Sequence, residues 1–311
     1  MITKRLTIVT LFIATAVLSC PGRGAWAATT QPAPATNPRR VTKVADYVPS
    51  SEKAFASALV VDAKTKKVLY AYEPTKPWAA ASLTKLMGAM VLVDKKPAWG
   101  KVVKMLAQDE VGGGRLRVSS GASMTLRDIL FSSLVGSANN AATAMARLSG
   151  LGQVKYVAAM NAKAKAIGCH DTTFADPSGM DVRNMTTAQD MLKIAEAAFA
   201  KPEIRSAVST SVYNFMIRNQ GIKKTIRNTN VLLTDPNNGL YVTGGKTGYL
   251  EEAKNNLVVR LRSDRDDRRR ELMIVVFGAE TKPAVFEEAA RLARWTWSAY
   301  DWPTPTLAVS R

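Results

Sequence analysis

A serine and a lysine stand three residues apart in Ser82-Leu83-Thr84-Lys85, the spacing at which two side chains share one face of a helix. A serine hydroxyl is a poor nucleophile until a neighbouring base takes its proton. The usual base, an imidazole, is scarce here, because His170 is the one histidine in 311 residues. A lysine can serve instead if burial or a second cation keeps its amine neutral. A helix opening at Ser82 would also aim free N–H groups at any anion formed there. The pattern alone is weak, since about one Ser-x-x-Lys is expected by chance at this composition. Ser50-Ser51-Glu52-Lys53 matches it too, but opens no apolar helix. Read by itself, Ser82 is an ordinary helix cap.

Two further motifs change that reading. Ser137-Ala138-Asn139 follows Gly136 in a predicted loop, where a hydroxyl and an amide can reach a cleft. Lys246-Thr247-Gly248 follows Gly244-Gly245 on a predicted strand. Small residues there let a substrate backbone approach and pair with the strand. A Lys-Thr-Gly string arises by chance about one time in ten. The three motifs together, in this order and in these contexts, are specific. No cofactor or metal is expected, because Cys20, Cys169 and His170 fall short of the four ligands of a zinc site. Two cysteines also exclude a multi-disulfide scaffold.

The surrounding sequence supplies the elements to hold these groups. Residues 58–63 and 67–72 read as two strands around the polar turn Lys64-Thr65-Lys66, an antiparallel hairpin. Residues 83–93 are apolar enough for a buried helix. Thr125-Leu126-Arg127-Asp128 is a capping box that opens a helix ending near Gly136. Helices are predicted over 140–148 and 154–167, the latter closed by Gly168. Another opens at Thr187 and ends before Pro202. Strands return at 211–218 and 223–227, then at 241–247, 256–263 and 271–277. A final helix over 283–300 carries Phe286, Ala290, Ala293 and Trp297 on one stripe, fit to pack on a sheet. The expected fold is therefore α/β, with an antiparallel sheet drawn from both chain ends and an inserted helical lobe. A cleft should lie between the two.

The first residues read as an export signal over 1–27. Lys4 and Arg5 precede the uncharged run 6–19, and Ala25-Trp26-Ala27 offers a small-x-small cleavage pattern. A retained anchor, or a lipoprotein using Cys20, is the alternative; Leu18 is bulky for the latter. Residues 28–52, rich in Pro, Thr, Ala and Ser, are expected to form a disordered tether. The catalytic domain is expected at 53–302, followed by a short tail over 303–311 with no membrane anchor. The formal charge is +18, and about +15 once Lys4, Arg5 and Arg23 are removed. Such a basic exported chain would meet anionic envelope polymers, although a solvated lysine-rich surface explains the charge equally well. No basic helix interleaved with aromatics suggests nucleic acid as a partner.

The chain resembles the low-molecular-mass penicillin-binding proteins, the D-alanyl-D-alanine carboxypeptidase/endopeptidase family of serine peptidases, over residues 53–302. Phe174-Ala175-Asp176-Pro177-Ser178-Gly179-Met180, Asn228-Thr229-Asn230 and Gly245-Lys246-Thr247-Gly248-Tyr249 all look like family segments. Gly113-Gly114-Arg115-Leu116-Arg117-Val118 resembles the endopeptidase-type branch. The resemblance implies a penicillin-binding-protein/β-lactamase-like fold and a periplasmic enzyme acting on peptidoglycan stem peptides. Ser82 would be the nucleophile, Lys85 the base and Ser137 a proton relay. Asn139 would hold the substrate amide, and Lys246 and Thr247 the acyl-donor end, with Gly248 giving clearance. The oxyanion hole would be the backbone N–H of Ser82 and of Tyr249. β-Lactams would acylate Ser82 as inhibitors.

The sequence departs from the family at two places. Leu250 stands where many relatives have threonine, and Phe277-Gly278-Ala279-Glu280 brings an acid where carboxypeptidases often carry a carboxylate-gripping arginine. That leans toward an endopeptidase cutting crosslinks, kept as the alternative to the carboxypeptidase. A β-lactamase would need a glutamate on a loop between Asn139 and Lys246, and the segment Asp176 to Asp190 offers aspartates but no glutamate. A non-catalytic β-lactam binder would show decayed motifs. A P-loop would need a glycine where Leu240 stands. Simpler roles suffice for the remaining candidates: His170 at the surface, Cys169 as buried filler, Gly112-Gly113-Gly114 as a turn, Asp176 and Asp181 as loop stabilisers, and 264–270 as a solvated hairpin turn.

Overall fold

The computed structural model describes residues 38–41, 44–52 and 54–302. The export signal, the first part of the tether and the tail 303–311 lie outside the described residues. Five strands form the central antiparallel sheet: β1 (Ser57–Asp62), β2 (Val68–Tyr72), β3 (Tyr241–Leu250), β4 (Lys254–Arg262) and β5 (Glu271–Ala279). Their order across the sheet is β3-β4-β5-β1-β2. Strands from both ends of the chain thus meet where β5 pairs with β1, with Val275 opposite Leu59.

Both faces of this sheet are covered, which explains why β5 reads as an unbroken apolar run rather than an alternation. The pleat sends Leu59, Val61, Met273, Val275 and Phe277 to one face and Val60, Ile274 and Val276 to the other. The first set packs against the helical lobe, made of α1 (Thr84–Asp94), α2 (Leu126–Leu134), α3 (Asn139–Leu148), α4 (Gly152–Ala166), α5 (Ala188–Ala200) and α6 (Pro202–Val208). The second set packs against α7 (Lys282–Ala299), whose Phe286, Ala290 and Ala293 face the sheet as the stripe predicted.

The helix that opens after Thr187 ends at Ala200, before Pro202, as expected, and Pro202 begins a new one. It occupies the first turn of the separate helix α6, where its missing N–H has no intrahelical acceptor to lose. The hairpin Val212–Ile217 and Ile222–Arg227 forms its own two-stranded sheet beside the lobe. A small pairing of Val102–Lys104 with Ser123–Thr125 was not predicted, being only three residues long on each side.

The tether expectation fails for its described part. Arg39–Arg40 pairs with Tyr300–Asp301, and Arg40 lies 5.2 Å over the Trp295 ring. Tyr47 packs edge-on against Tyr70 and Trp295. Its hydroxyl and the Ser50 N–H both donate to the carboxylate of Glu288, which is fully buried in α7. Composition favours disorder, but two anchors outweigh it: Arg40 lies over the Trp295 ring, and Tyr47 meets aromatic rings and the Glu288 carboxylate on the back of the sheet. Truncating Glu288 leaves two donors without their acceptor. Glu288→Ala should therefore lower unfolding stability by about 1–3 kcal/mol in a urea titration. No loss would show that the strap contributes nothing.

Candidate active site

The strand pair Trp78–Ala79 with Met185–Thr186 delivers the chain to a tight 3₁₀ turn, Ala81–Leu83, which runs directly into α1. Ser82 sits in this turn and is not a cap. The residue preceding α1 is Leu83, with no side-chain capping bond. Ser82 Oγ instead lies 2.7 Å from Lys85 Nζ. The amine also donates to Asn139 Oδ1 at 2.7 Å and to the Ser178 carbonyl. Three oxygens thus match the three N–H bonds of the charged amine; when neutral it keeps two of them and turns its lone pair to one of the three.

Lys85 is fully buried. Burial pushes its amine down to about 7, partly opposed by the charge of Asp176. Lys246, in β3, is equally buried, and burial together with the charge of Lys85 holds it well below the usual lysine range. Its Nζ donates to Ser137 Oγ at 2.7 Å and to the Thr247 carbonyl at 2.8 Å. Two buried amines, each on a serine, therefore sit on opposite walls of one site. Ser137 links α2 to α3 with a left-handed backbone, φ 57°, a conformation that costs a non-glycine residue about 1–2 kcal/mol. Asn139 opens α3 and anchors the adjoining loop: its Nδ2 donates to Gly112 O at 3.0 Å.

Two glycines set how closely backbone approaches the Ser82 turn. A Cβ at Gly248 would stand 3.1 Å from Ala80 O and 3.2 Å from Ser82 N, so β3 lies directly against the turn. A Cβ at Gly179, where φ is +84°, would fall 2.0 Å from Ala81 O. Gly179 is presented by a loop wound around one carboxylate. Asp176 accepts from the N–H of Ser178, Gly179 and Asp181 and from Asn184 Nδ2. This is the loop-stabilising role expected of Asp176. Asp181 also bonds to Arg183 at the surface, which holds its carboxyl at about 2.

A cleft of about 800 Å³ opens over these groups. Ser82, Ser137, Asn139, Thr247, Gly248 and Tyr249 line it, and Lys85 and Lys246 lie buried beneath. All eight residues named from sequence thus converge. The Tyr249 side chain is largely exposed, and its hydroxyl donates to Glu251, which also lines the cleft. Sequence reasoning gave no individual role to Ser178, Gly179 or Thr229. A glycine inside the polar string Asp176-Pro177-Ser178-Gly179 marks a tight turn, but nothing local says that the turn lies under Ser82. His170 is exposed and Cys169 buried, as expected. Among the described residues, no group of three or more His, Cys, Asp or Glu side chains is placed to hold a metal ion.

A serine hydroxyl bonded to a buried lysine amine, set between a sheet edge and a helical lobe, is the arrangement of a penicillin-recognising serine hydrolase. Comparisons with known proteins agree. The family described as D-alanyl-D-alanine carboxypeptidase matches residues 43–281, and the chain belongs to it. The D-alanyl-D-alanine endopeptidase of Pseudomonas aeruginosa is 35% identical over 246 residues, 78% of this chain and 77% of that protein. The endopeptidase of Escherichia coli K12 is 32% identical over 277 residues, 88% and 87% of the two chains. The crystal structure of a D-alanyl-D-alanine carboxypeptidase from Mycobacterium tuberculosis H37Rv superposes with a TM-score of 0.72 at 28% identity, covering 85% of this chain and 97% of that one.

The titration of Lys85 fixes a direction for pH dependence. Its ordinary value of 10.5 falls to about 7 in the fold, so below pH 7 the amine is charged and cannot accept a proton. Acylation by a labelled β-lactam should rise through about pH 7 and level off above about pH 8. A midpoint near 10 would show that burial does not neutralise the amine. Unfolding restores the higher value, so this group adds stability as pH rises from about 7 to 10.5. Gly179→Ala should displace the Ser82 turn and slow acylation at least about tenfold, with a lowered melting temperature. Unchanged rates would show that the turn tolerates the clash.

Proposed function

We propose that this enzyme cleaves D-alanyl-D-alanine peptide bonds of peptidoglycan stem peptides through an acyl-enzyme on Ser82. The observation that carries the reading is the 2.7 Å approach of a fully buried lysine amine to the Ser82 hydroxyl. Neutral Lys85 takes the hydroxyl proton, and Oγ attacks the carbonyl carbon next to the scissile nitrogen. The resulting oxyanion is received by the backbone N–H of Ser82 and of Tyr249, each such donor being worth about 10²- to 10³-fold in rate. Collapse expels the amine, which takes up the proton that Lys85 removed from Ser82, relayed by way of the Ser137 hydroxyl that Lys246 holds in place, and Lys85 is neutral again. Water then attacks the acyl-enzyme with Lys85 again as base. A β-lactam would follow the same first step and stay attached to Ser82.

A second reading, cleavage of crosslinks between stem peptides, has its own support. Among the described residues no arginine lines the cleft, and Glu280 stands on its wall beyond β5. The two relatives above are named endopeptidases. Both readings share the same acylation chemistry. Export follows from the substrate's place outside the cytoplasm and from the pattern of residues 1–27. No helix among the described residues is long and apolar enough to cross a membrane. The basic turn 264–270 adds no support for anionic polymers as partners, since Asp267 already pairs with Arg269 and Arg270.

Incubation with a disaccharide-pentapeptide and with a crosslinked muropeptide dimer, read by mass, separates the two activities. Loss of one alanine from the monomer is carboxypeptidase action; splitting of the dimer is endopeptidase action. Ser82→Ala should abolish both, together with labelling by a fluorescent penicillin. Full turnover in that variant would end the acyl-enzyme reading.

A further inference from the structure

Thr229 belongs to none of the three motifs, yet it lines the cleft. The segment that carries it is fixed on both sides. Asn228 donates from its backbone to Ser211 O and from its side chain to Thr210 O, and its Oδ1 accepts from the Asn230 N–H. Asn230 in turn accepts from the Leu232 N–H. Both asparagines are buried, and Thr229 between them is half-buried, its own N–H donating to Val135 O at the end of α2. Gly245 lets this segment press on the strand that bears Thr247: a Cβ there would lie 2.5 Å from Asn230 Nδ2. The result is a contact of 2.6 Å between Thr229 Oγ1 and Thr247 Oγ1.

Two hydroxyls carry two protons, and their mutual bond uses one. The other is left to donate elsewhere, and the half-buried pair faces the cleft. We propose that Thr229 is a positioning residue: it fixes the Thr247 hydroxyl so that the pair donates one hydrogen bond to a carboxylate oxygen of the bound peptide or β-lactam. This rests on the peptidase reading above. No arginine stands on the cleft wall among the described residues and Lys282 is the cation that lines it; the hydroxyl pair, on the strand next to Lys246, offers that anion a neutral donor beside the reacting groups. Without Thr229, the Thr247 hydroxyl is free to rotate among three staggered positions, and it loses the polarisation that a chained hydroxyl gains.

The test is the second-order rate of Ser82 acylation by a labelled penicillin, which carries one carboxylate, in Thr229→Val and Thr229→Ser. Valine keeps the shape and removes the hydroxyl; serine restores the hydroxyl. The valine variant should acylate about three- to tenfold more slowly with an unchanged melting temperature, and the serine variant should recover at least half of the wild-type rate. Wild-type speed in the valine variant, or equal loss in both variants, overturns the proposal. Failure of the wild-type protein itself to be labelled would instead overturn the peptidase reading, so the two failures are distinguishable.

Discussion

Two ammonium groups cannot both be kept charged in a dry interior, and the site is built on that constraint. Lys85 and Lys246 are each removed from water and close enough that one charge disfavours the other. Desolvation of a cation is normally a penalty that a fold avoids. Here it brings the Lys85 amine down to about 7, so that beside Ser82 a neutral amine is present near neutrality in a chain with a single histidine. The acceptors around Lys85, namely Ser82, Asn139 and Ser178, keep each N–H satisfied, so the group is buried without being orphaned.

The rest of the architecture holds these two amines at a fixed separation. One rides on the first helix of the lobe and the other on the edge strand of the sheet. The Ser82 turn is gripped between the backbone at Gly248 on one side and at Gly179 on the other. A Cβ would clash outright at Gly179 and press tightly at Gly248, so the backbone of the turn is held by main chain on both sides. The strained backbone of Ser137 places the second hydroxyl with comparable rigidity. This is the precision that proton transfer between neighbouring groups requires.

Much of this was legible in the sequence, and what was not has physical reasons. Ser82, Lys85, Ser137, Asn139 and Lys246 stand out because hydroxyl, amine and amide side chains in that order converge on one chemistry, and the pleat and helix periodicities placed the strands and helices that carry them. Unbroken apolar runs such as 271–277 announced a buried strand, yet they could not say which side chain faces which layer. The strap at 38–52 was hidden because Arg40 and Tyr47 are two anchors in a tract whose average composition favours disorder. Gly179 and Thr229 were out of reach for another reason. Their importance lies in what they touch across 97 and 18 residues of chain, and local pattern is silent on such contacts.

The pairing of β5 with β1 joins residues more than 200 positions apart, Leu272 facing Asp62. Closing so long a loop makes assembly slow compared with that of the local helices. The sheet is complete only when the chain as far as Ala279 is at hand, and the strand bearing Lys246 reaches it through β4 and β5. A nascent chain that has released only its first half therefore holds Ser82 and Lys85 without the sheet edge that makes them a site. The site cannot assemble before the chain as far as Ala279 is available, a delay that connectivity alone imposes.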